Sequence, residues 1–273
     1  MRRITTTIAF SVFAMLINPV FASPEEDRLA FKAYYSDKLP KIDQQDFING
    51  VYSIDPKSRE QWLEIEEFPP YEFAIEEGEE LFNTAFANGK TYADCFAGKG
   101  RESYPYFDTD SNQVITVELA INHCREANGE AALPYSKGKL ADLSAYMAYT
   151  ARGKPINTVV QNDAANNAYE KGKAAFYSKR GQLNFSCMDC HGTAVAKKLR
   201  SEVLSPALGH TSHFPAYRSA QGSMGTLHRR FAVCNVQVRA KPLAAQSESY
   251  RNLEYFLSYM GNGLEINGPG ARK

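Results

Sequence analysis

An internal repeat limits the fold of this chain more than any other feature of its 273 residues. The pairs that match at an offset of 110 residues are Tyr104-Pro105 with Phe214-Pro215, Cys124 with Cys234, Leu143 with Leu253, Tyr149 with Tyr259 and Gly153 with Gly263. Upstream the offset falls to about 95, where Gly78 and Phe82 match Gly172 and Phe176, so the second copy holds an insertion of about 15 residues. A self-match in register over this length predicts two tandem domains of the same fold.

The spacing of apolar residues predicts that each copy is mostly helical. In the second copy, such residues recur at helical spacing in a first helix (Ala165, Ala168, Tyr169, Gly172, Phe176) and in a closing helix (Leu253, Phe256, Leu257, Met260). Gly172 would let these two helices cross closely, because glycine has no side chain. The predicted fold class is therefore all-α.

The N-terminal residues have the layout of a secretory signal peptide. Arg2 and Arg3 precede an apolar run from Ile8 to Ile17, and small residues end at Ala22 before a cleavage site. The run is too short to span a bilayer, so we expect removal of residues 1–22 on export to the periplasm and no membrane anchor. We then expect a loosely structured lead-in at 23–57, a first domain at 58–155 and a second at 156–273.

The formal net charge of zero conceals two halves of opposite sign. Residues 24–150 contain 12 Lys and Arg against 24 Asp and Glu, whereas residues 151–273 contain 17 against 7. This asymmetry favours two domains with different tasks. The positive charges of the second half are scattered, which favours a small anion or an acidic partner over nucleic acid or a membrane.

Residues 187–191 carry the Cys-x-x-Cys-His signature of c-type haem attachment. Two thiols at this spacing reach both vinyl groups of one porphyrin, and the adjacent histidine then faces the iron. A zinc site would need further Cys or His pairs, and a redox dithiol would need a βαβ context. The motif predicts one haem c per chain, attached at Cys187 and Cys190 with His191 as an axial ligand, in a domain ordered like a small cytochrome c.

The first copy has lost this motif. Tyr92 stands where the first anchoring cysteine would be and Phe96 stands where the histidine would be, so we expect no haem there. Cys95 and Cys124 remain, and they match Cys190 and Cys234 of the second copy. In an oxidising compartment two such thiols usually pair, which predicts a Cys95–Cys124 disulfide.

Cys234 is then the odd cysteine, and the second axial position of the iron also needs an occupant. Candidates downstream of the motif are His210, His213, Met224, His228, Cys234 and Met260. Met260 lies on the apolar stripe of the closing helix, where core packing is the simpler role. Residue type favours histidine or methionine, because thiolate ligation of c-type haem is uncommon. The repeat position and the odd number of cysteines favour Cys234. The residues alone do not decide which of these side chains is the second axial ligand.

Arg229 and Arg230 precede Cys234. On a helix Arg230 and Cys234 would share one face, since they are four positions apart. A guanidinium beside a thiol favours the thiolate and offers a planar fork to oxyanions. The alternative is an ordinary solvated basic patch.

At these residues the chain resembles the A subunits of the SoxAX cytochromes of bacterial thiosulfate oxidation. The resemblance covers two cytochrome-like halves, the intact motif in the second half, and the segment Arg230-Phe-Ala-Val-Cys234-Asn. Tyr92 and Phe96 depart from the members with two haems and match the branch in which a disulfide replaces the first. The resemblance implies that His191 and Cys234 are the axial ligands, that Cys234 is the sulfur-bearing active-site residue, often a persulfide, and that Arg230 binds substrate.

The resemblance also implies an activity, that of an L-cysteine S-thiosulfotransferase. Thiosulfate would be coupled oxidatively to a cysteine of a SoxYZ-like carrier protein, and electrons would pass through haem to a SoxX-like monohaem subunit and a terminal cytochrome acceptor. Two alternatives stay open at this point: a plain periplasmic electron carrier and a thiosulfate dehydrogenase that forms tetrathionate. A haem-based redox sensor would need an attached output domain, for which the two repeats leave no room.

Overall fold

The computed structural model describes residues 22–272, so the predicted signal peptide lies essentially outside the described residues. Nine α-helices run through the described part: α1 (Pro24–Lys38), α2 (Pro56–Glu66), α3 (Glu72–Asn83), α4 (Tyr92–Phe96), α5 (Val117–Ala127), α6 (Lys139–Tyr149), α7 (Asp163–Tyr177), α8 (Leu227–Gln237) and α9 (Glu248–Met260). Between residues 22 and 272 there is no helix with the length and apolar character needed to cross a bilayer.

Two equivalent helix pairs form the frame of the repeat. Helix α3 crosses α6 in the first copy, and α7 crosses α9 in the second. A Cβ atom on Gly78 would lie 2.1 Å from the carbonyl oxygen of Asp142, and one on Gly172 would lie 2.0 Å from that of Asn252. Any larger side chain would force the helices apart, so the close crossing predicted for Gly172 is confirmed and holds in both copies.

Each helix pair has its own apolar core. The first core contains residues of α4, α5 and α6 (Tyr92, Phe96, Val117, Ile121, Cys124, Leu140, Leu143). The second contains residues of α7 and α9 (Ala165, Tyr169, Phe176, Leu253, Phe256, Leu257, Met260). Met260 is therefore a core residue, as its place on the apolar stripe predicted.

The all-α prediction describes the framework but omits short strands. The strands are β1 (Tyr106–Asp108), β2 (Gln113–Ile115), β3 (Lys198–Leu199), β4 (Glu202–Val203), β5 (Ala216–Arg218), β6 (Ser223–Gly225) and β7 (Gly270–Arg272). Strands of two or three residues are too short to show the alternation that marks a strand in sequence. The β3–β4 hairpin lies within the insertion that the repeat comparison predicted.

The strands β6, β5 and β7 form a small sheet in that order, with β5 and β7 parallel. One face carries Tyr217, Met224 and Ala271, which pack against Ala74 of α3 and Ala141 of α6. The sheet belongs to the second copy but rests on the first. The opposite face is free to line a site in the second copy.

The segment 23–57 is not the loose lead-in that the sequence suggested. Helix α1 begins with a capping box formed by Ser23 and Glu26, and a 3₁₀ segment follows at Gln45–Ser53. Phe31 and Tyr35 of α1 are buried in the core of the second copy. Helix α1 is mostly polar, and Phe31 and Tyr35 are its two buried residues, which is too few for a clear helical pattern in the sequence.

Candidate haem and sulfur site

A short helical turn carries the Cys-x-x-Cys-His motif. Its start is fixed by Asp189, whose carboxylate accepts hydrogen bonds from the backbone nitrogen and hydroxyl of Ser186 at 2.7 and 2.8 Å. The first copy has the same cap, since Asp94 accepts from the backbone nitrogen and hydroxyl of Thr91 at 2.7 and 3.0 Å. The two copies therefore keep the same cap, although the first continues as an α-helix and the second as a π-helical turn.

The motif opens onto a cavity of about 620 Å³. This volume lies in the range of about 300–1,000 Å³ that is usual for cofactor pockets. The predicted site residues Cys187, Cys190, His191, Arg230 and Cys234 all line it. Apolar lining comes mainly from Phe176, Leu183, Phe185, Leu199, Leu204, Leu227, Phe231, Leu253 and Leu257.

His191 is oriented by a backbone carbonyl. Its Nδ1 atom donates a hydrogen bond to the carbonyl oxygen of Ser205 at 2.9 Å. A carbonyl only accepts, so the proton is on Nδ1 and the lone pair of Nε2 is left for a metal. Burial lowers the pKa of His191 to about 4, opposed by the hydrogen bond to Ser205 and reinforced by the charge of Arg230. The ring is therefore neutral at pH 7, as an iron ligand must be.

The two anchoring cysteines lie in apolar surroundings. Burial raises the pKa of Cys187 to about 11 and also raises that of Cys190. Neither is joined in a disulfide. Both are partly buried thiols on one helical turn, at the spacing that two thioether bonds to one porphyrin require.

Helix α8 brings Arg230 and Cys234 to the cavity, as the four-residue spacing predicted. Arg229 points elsewhere, because its Nη1 donates to the hydroxyl of Ser223 at 3.0 Å and to the carbonyl oxygen of Met224 at 3.1 Å. The two neighbouring arginines therefore have different tasks. One faces the site and the other fastens α8 to β6.

The structure separates the candidates for the second axial position. Met224 of β6 packs against the first copy, and Met260 lies in the core of the second copy. His228 is buried away from the cavity, where Nδ1 accepts from the backbone of Gln246 and Nε2 lies 3.1 Å from Glu254. His210, His213 and Cys234 line the cavity.

His210 stands close to His191 rather than opposite it. The two rings meet edge to face with centroids 4.4 Å apart, and the Nε2 atom of His210 lies 3.1 Å from the hydroxyl of Ser205. Burial holds the pKa of His210 well below its usual value. His210 bonds the side chain of Ser205, whose carbonyl oxygen orients His191, so His210 lies on the same side as that ligand. His213 and Cys234 are the other two cavity-lining candidates, and Cys234 is the one on helix α8.

The corresponding space in the first copy is filled by aromatic rings. Phe82 stacks on Tyr92 and on Phe96, with centroid distances of 6.0 and 6.1 Å, and Phe86 contacts Tyr92 at 4.8 Å. Cys95 and Cys124 form a disulfide, with Cα atoms 5.8 Å apart. Tyr92 and Phe96, which replace residues of the haem motif, thus both pack on Phe82.

The residues of the second copy fit a haem c. They provide two adjacent thiols, a histidine with the correct tautomer, and an apolar cavity with a thiol on the facing helix. Within residues 22–272 no set of three or more His, Cys, Asp or Glu side chains is arranged to hold a bare metal ion.

Sequence reasoning missed several residues of this site. Tyr35 of α1 donates to the carbonyl oxygen of His191 at 2.6 Å and accepts from the backbone of Ala207 at 3.2 Å. Arg218 and Arg272 also line the cavity. Ser205, Arg218 and Arg272 lie outside any motif, and only the folded chain brings them to the site.

Comparison with known proteins identifies close relatives. The family model for the SoxA/TsdA cytochrome c domain matches residues 77–156 and 171–266. The chain is 53% identical over 272 residues to the L-cysteine S-thiosulfotransferase subunit SoxA of Allochromatium vinosum, covering 98% of this chain and 97% of that protein. It is 51% identical over 251 residues to the protein of the same name from Chlorobaculum tepidum, covering 91% and 88%. The crystal structure of SoxXA from P. pantotrophus matches with a TM-score of 0.72 and 26% identity, covering 78% of this chain and 84% of that one.

Proposed function

The chain belongs to the SoxA family of c-type cytochromes, and from this premise we propose that it oxidises thiosulfate by coupling it to a cysteine of a carrier protein. The activity is that of an L-cysteine S-thiosulfotransferase subunit, the name that its relatives carry. The observation that carries the proposal is the single cavity lined by Cys187, Cys190, His191, Arg230 and Cys234.

The reaction is an oxidative S–S coupling. The outer sulfur of thiosulfate joins the thiol sulfur of the carrier, one S–S bond forms, one S–H bond breaks, and one proton and two electrons leave. Arg230 would bind the sulfonate oxygens through its planar fork. Cys234 would bond to the outer sulfur as a covalent acceptor while the two electrons leave, and the carrier thiolate would then attack that sulfur and displace the Cys234 thiolate.

The haem would be held by Cys187 and Cys190, with His191 and Cys234 as axial ligands. When bound, haem c supplies a one-electron acceptor beside the reacting sulfur, and a thiolate ligand lowers its potential. Ser205 orients His191, and Tyr35 fixes the backbone of that residue. A SoxX-like cytochrome subunit would take the electrons onward to a terminal cytochrome, as the SoxXA assembly of the structural relative suggests.

The first copy is proposed to carry no haem, which divides the mature chain into a haem-less domain at 58–155 and a haem domain at 156–273. Support comes from the stacked rings of Phe82, Tyr92 and Phe96 and from the Cys95–Cys124 disulfide. We place the mature protein in the periplasm, because haem c is attached outside the cytoplasm and the N-terminus resembles a signal peptide.

Haem content tests this division. We expect one haem per chain, because only one intact motif is present. A pyridine haemochrome assay combined with the intact mass of the mature protein would measure it. Two haems per chain would contradict the haem-less first copy, and none would contradict the proposed function.

Arg230→Lys should lower kcat/KM for thiosulfate about 10-fold or more, equivalent to about 1.4 kcal/mol or more of transition-state stabilisation. Lysine keeps the charge but loses the two-pronged contact with an oxyanion. Arg229→Lys is the matched control and should be much milder, since Arg229 bonds Ser223 and Met224 outside the cavity. Both must be assayed with the carrier and the partner cytochrome. An Arg230→Lys variant as mild as Arg229→Lys would mean that the charge of Arg230 is sufficient and that the two-pronged contact is not needed.

A further inference from the structure

Two arginines from neighbouring strands lie side by side in the lining of the cavity. Strands β5 and β7 are parallel, and their register places Arg218 beside Arg272. Side chains that are register partners project from the same face of a sheet. Because Tyr217 and Ala271 pack toward the first copy, Arg218 and Arg272 project toward the cavity that they line.

Like charges side by side in a sheet are destabilising, and desolvation increases the effect. Burial lowers the pKa of Arg272 from its usual value, and the charge of Arg218 lowers it further, while Tyr52 and Glu66 act in the opposite direction. Burial likewise lowers the pKa of Arg218, with Arg230 adding to the effect. The pair therefore strains the protein unless something negative lies beside it.

The protein supplies little negative charge here. Arg218 is 17% exposed and pairs at 3.1 Å with Glu202, a carboxylate that is itself 53% exposed. Arg272 lies over the ring of Tyr52, 4.5 Å from its centroid, and within residues 22–272 it donates to the carbonyl oxygens of Ala271 and Asn49. Glu66 is engaged by Trp62 and Tyr71. Among the described residues no carboxylate is within ion-pair distance of Arg272 or Arg230.

Two further groups complete this part of the cavity. His213 is 6% exposed, and its Nδ1 atom has no hydrogen-bond partner among the described residues. Gly50, in the left-handed region with φ of 61°, forms the floor, and a Cβ there would lie 3.3 Å from Nη2 of Arg272 and 3.4 Å from Cε1 of His213. The absence of a side chain at Gly50 keeps both groups accessible.

We propose that Arg218, Arg272 and His213 form an oxyanion site at the Gly50 end of the cavity, occupied by a carboxylate of the haem or by thiosulfate. This inference rests on the proposed function, which supplies both anions. The shared chemistry is a delocalised oxyanion that the guanidinium forks bind and that offsets their repulsion. The haem carboxylate is the occupant we favour, because it would be fixed in place once the two thioether bonds form.

The experiment uses the full chain with haem attached and its partner cytochrome present. Arg272→Gln and Arg218→Gln are compared with Lys241→Gln, which removes one positive charge from an exposed position. Redox titration followed by absorbance gives the haem midpoint potential, and steady-state assays with the carrier protein give the KM for thiosulfate.

Each occupant gives its own result. With a haem carboxylate in the site, both variants lower the midpoint potential, because an unpaired carboxylate stabilises ferric iron, and the KM for thiosulfate stays within about twofold. With thiosulfate in the site, its KM rises about tenfold or more and the potential is unchanged. Lys241→Gln changes neither quantity. Both variants matching wild type in both quantities would overturn the inference and leave the proposed function standing.

Charge-conserving variants serve as the control for a folding defect. If an Arg→Gln variant fails to accumulate with haem, Arg272→Lys and Arg218→Lys should restore loading when a carboxylate must be neutralised. If the lysine variants also fail to load haem, the arginines act through packing, and the proposed oxyanion site is contradicted. If wild type itself carried no haem, the proposed function would fail. The site would then be tested by calorimetry with thiosulfate, whose binding must be lost in both glutamine variants.

Discussion

Cys234→Ala is expected to abolish thiosulfate-dependent electron transfer while leaving one haem attached. Attachment needs Cys187 and Cys190, which are on another element, so the pyridine haemochrome value should equal that of wild type. Activity should be lost because alanine offers neither a ligand for the iron nor a sulfur that can accept and release the sulfane group. The measurement is reduction of the terminal cytochrome in a mixture of the chain, the partner cytochrome, the carrier and thiosulfate.

Two variants sharpen this test. Val236→Ala truncates a residue of the same helix that is 60% exposed and outside the cavity lining, and it should keep near-normal turnover. Cys234→Met keeps a sulfur ligand without a thiol, so it should restore low-spin ligation, visible by EPR, without restoring turnover. Near-normal activity of Cys234→Ala would overturn the transferase mechanism in favour of a plain electron carrier.

The Cys95→Ser, Cys124→Ser double variant should lose about 3.5 kcal/mol of unfolding free energy in the chain-entropy model, because the disulfide closes a loop of 29 residues. Haem loading should change little, since both cysteines belong to the first copy. Denaturant titration followed by fluorescence of the single tryptophan, Trp62, would measure the loss.

Wild type under reducing conditions is the matched comparison for this variant. It should fall to the stability of the double variant, and the double variant should not respond to reductant. A double variant as stable as oxidised wild type would show that the stacked rings of Phe82, Tyr92 and Phe96 hold the first copy without the covalent link.

The sequence was most informative where the repeat and helical spacing agreed. Gly78 and Gly172 occupy equivalent positions, and both permit the same close helix crossing. The alignment also predicted which residues gather at the cavity, because Cys234 follows from its match to Cys124 and Arg230 follows from helical spacing. Helix α1 was missed because its apolar face covers the second copy, a partner more than 130 residues away in sequence.

The paired arginines of the cavity lining could not have been predicted in the same way. Arg218 and Arg272 are 54 positions apart and meet only because β7 pairs in parallel with β5. A three-residue strand at the end of the chain carries no periodic signal. Likewise Ser205 acts through its backbone carbonyl, which is independent of its side chain.

Both ends of the described chain cross to the other copy. Helix α1 precedes the first copy yet covers the core of the second, while Ala271 of β7 packs against α3 and α6 of the first. The halves are therefore interlocked, and cutting the chain between them would strip each half of part of its covering. The first copy lacks the haem motif, but it supports the sheet whose other face lines the cavity of the second copy.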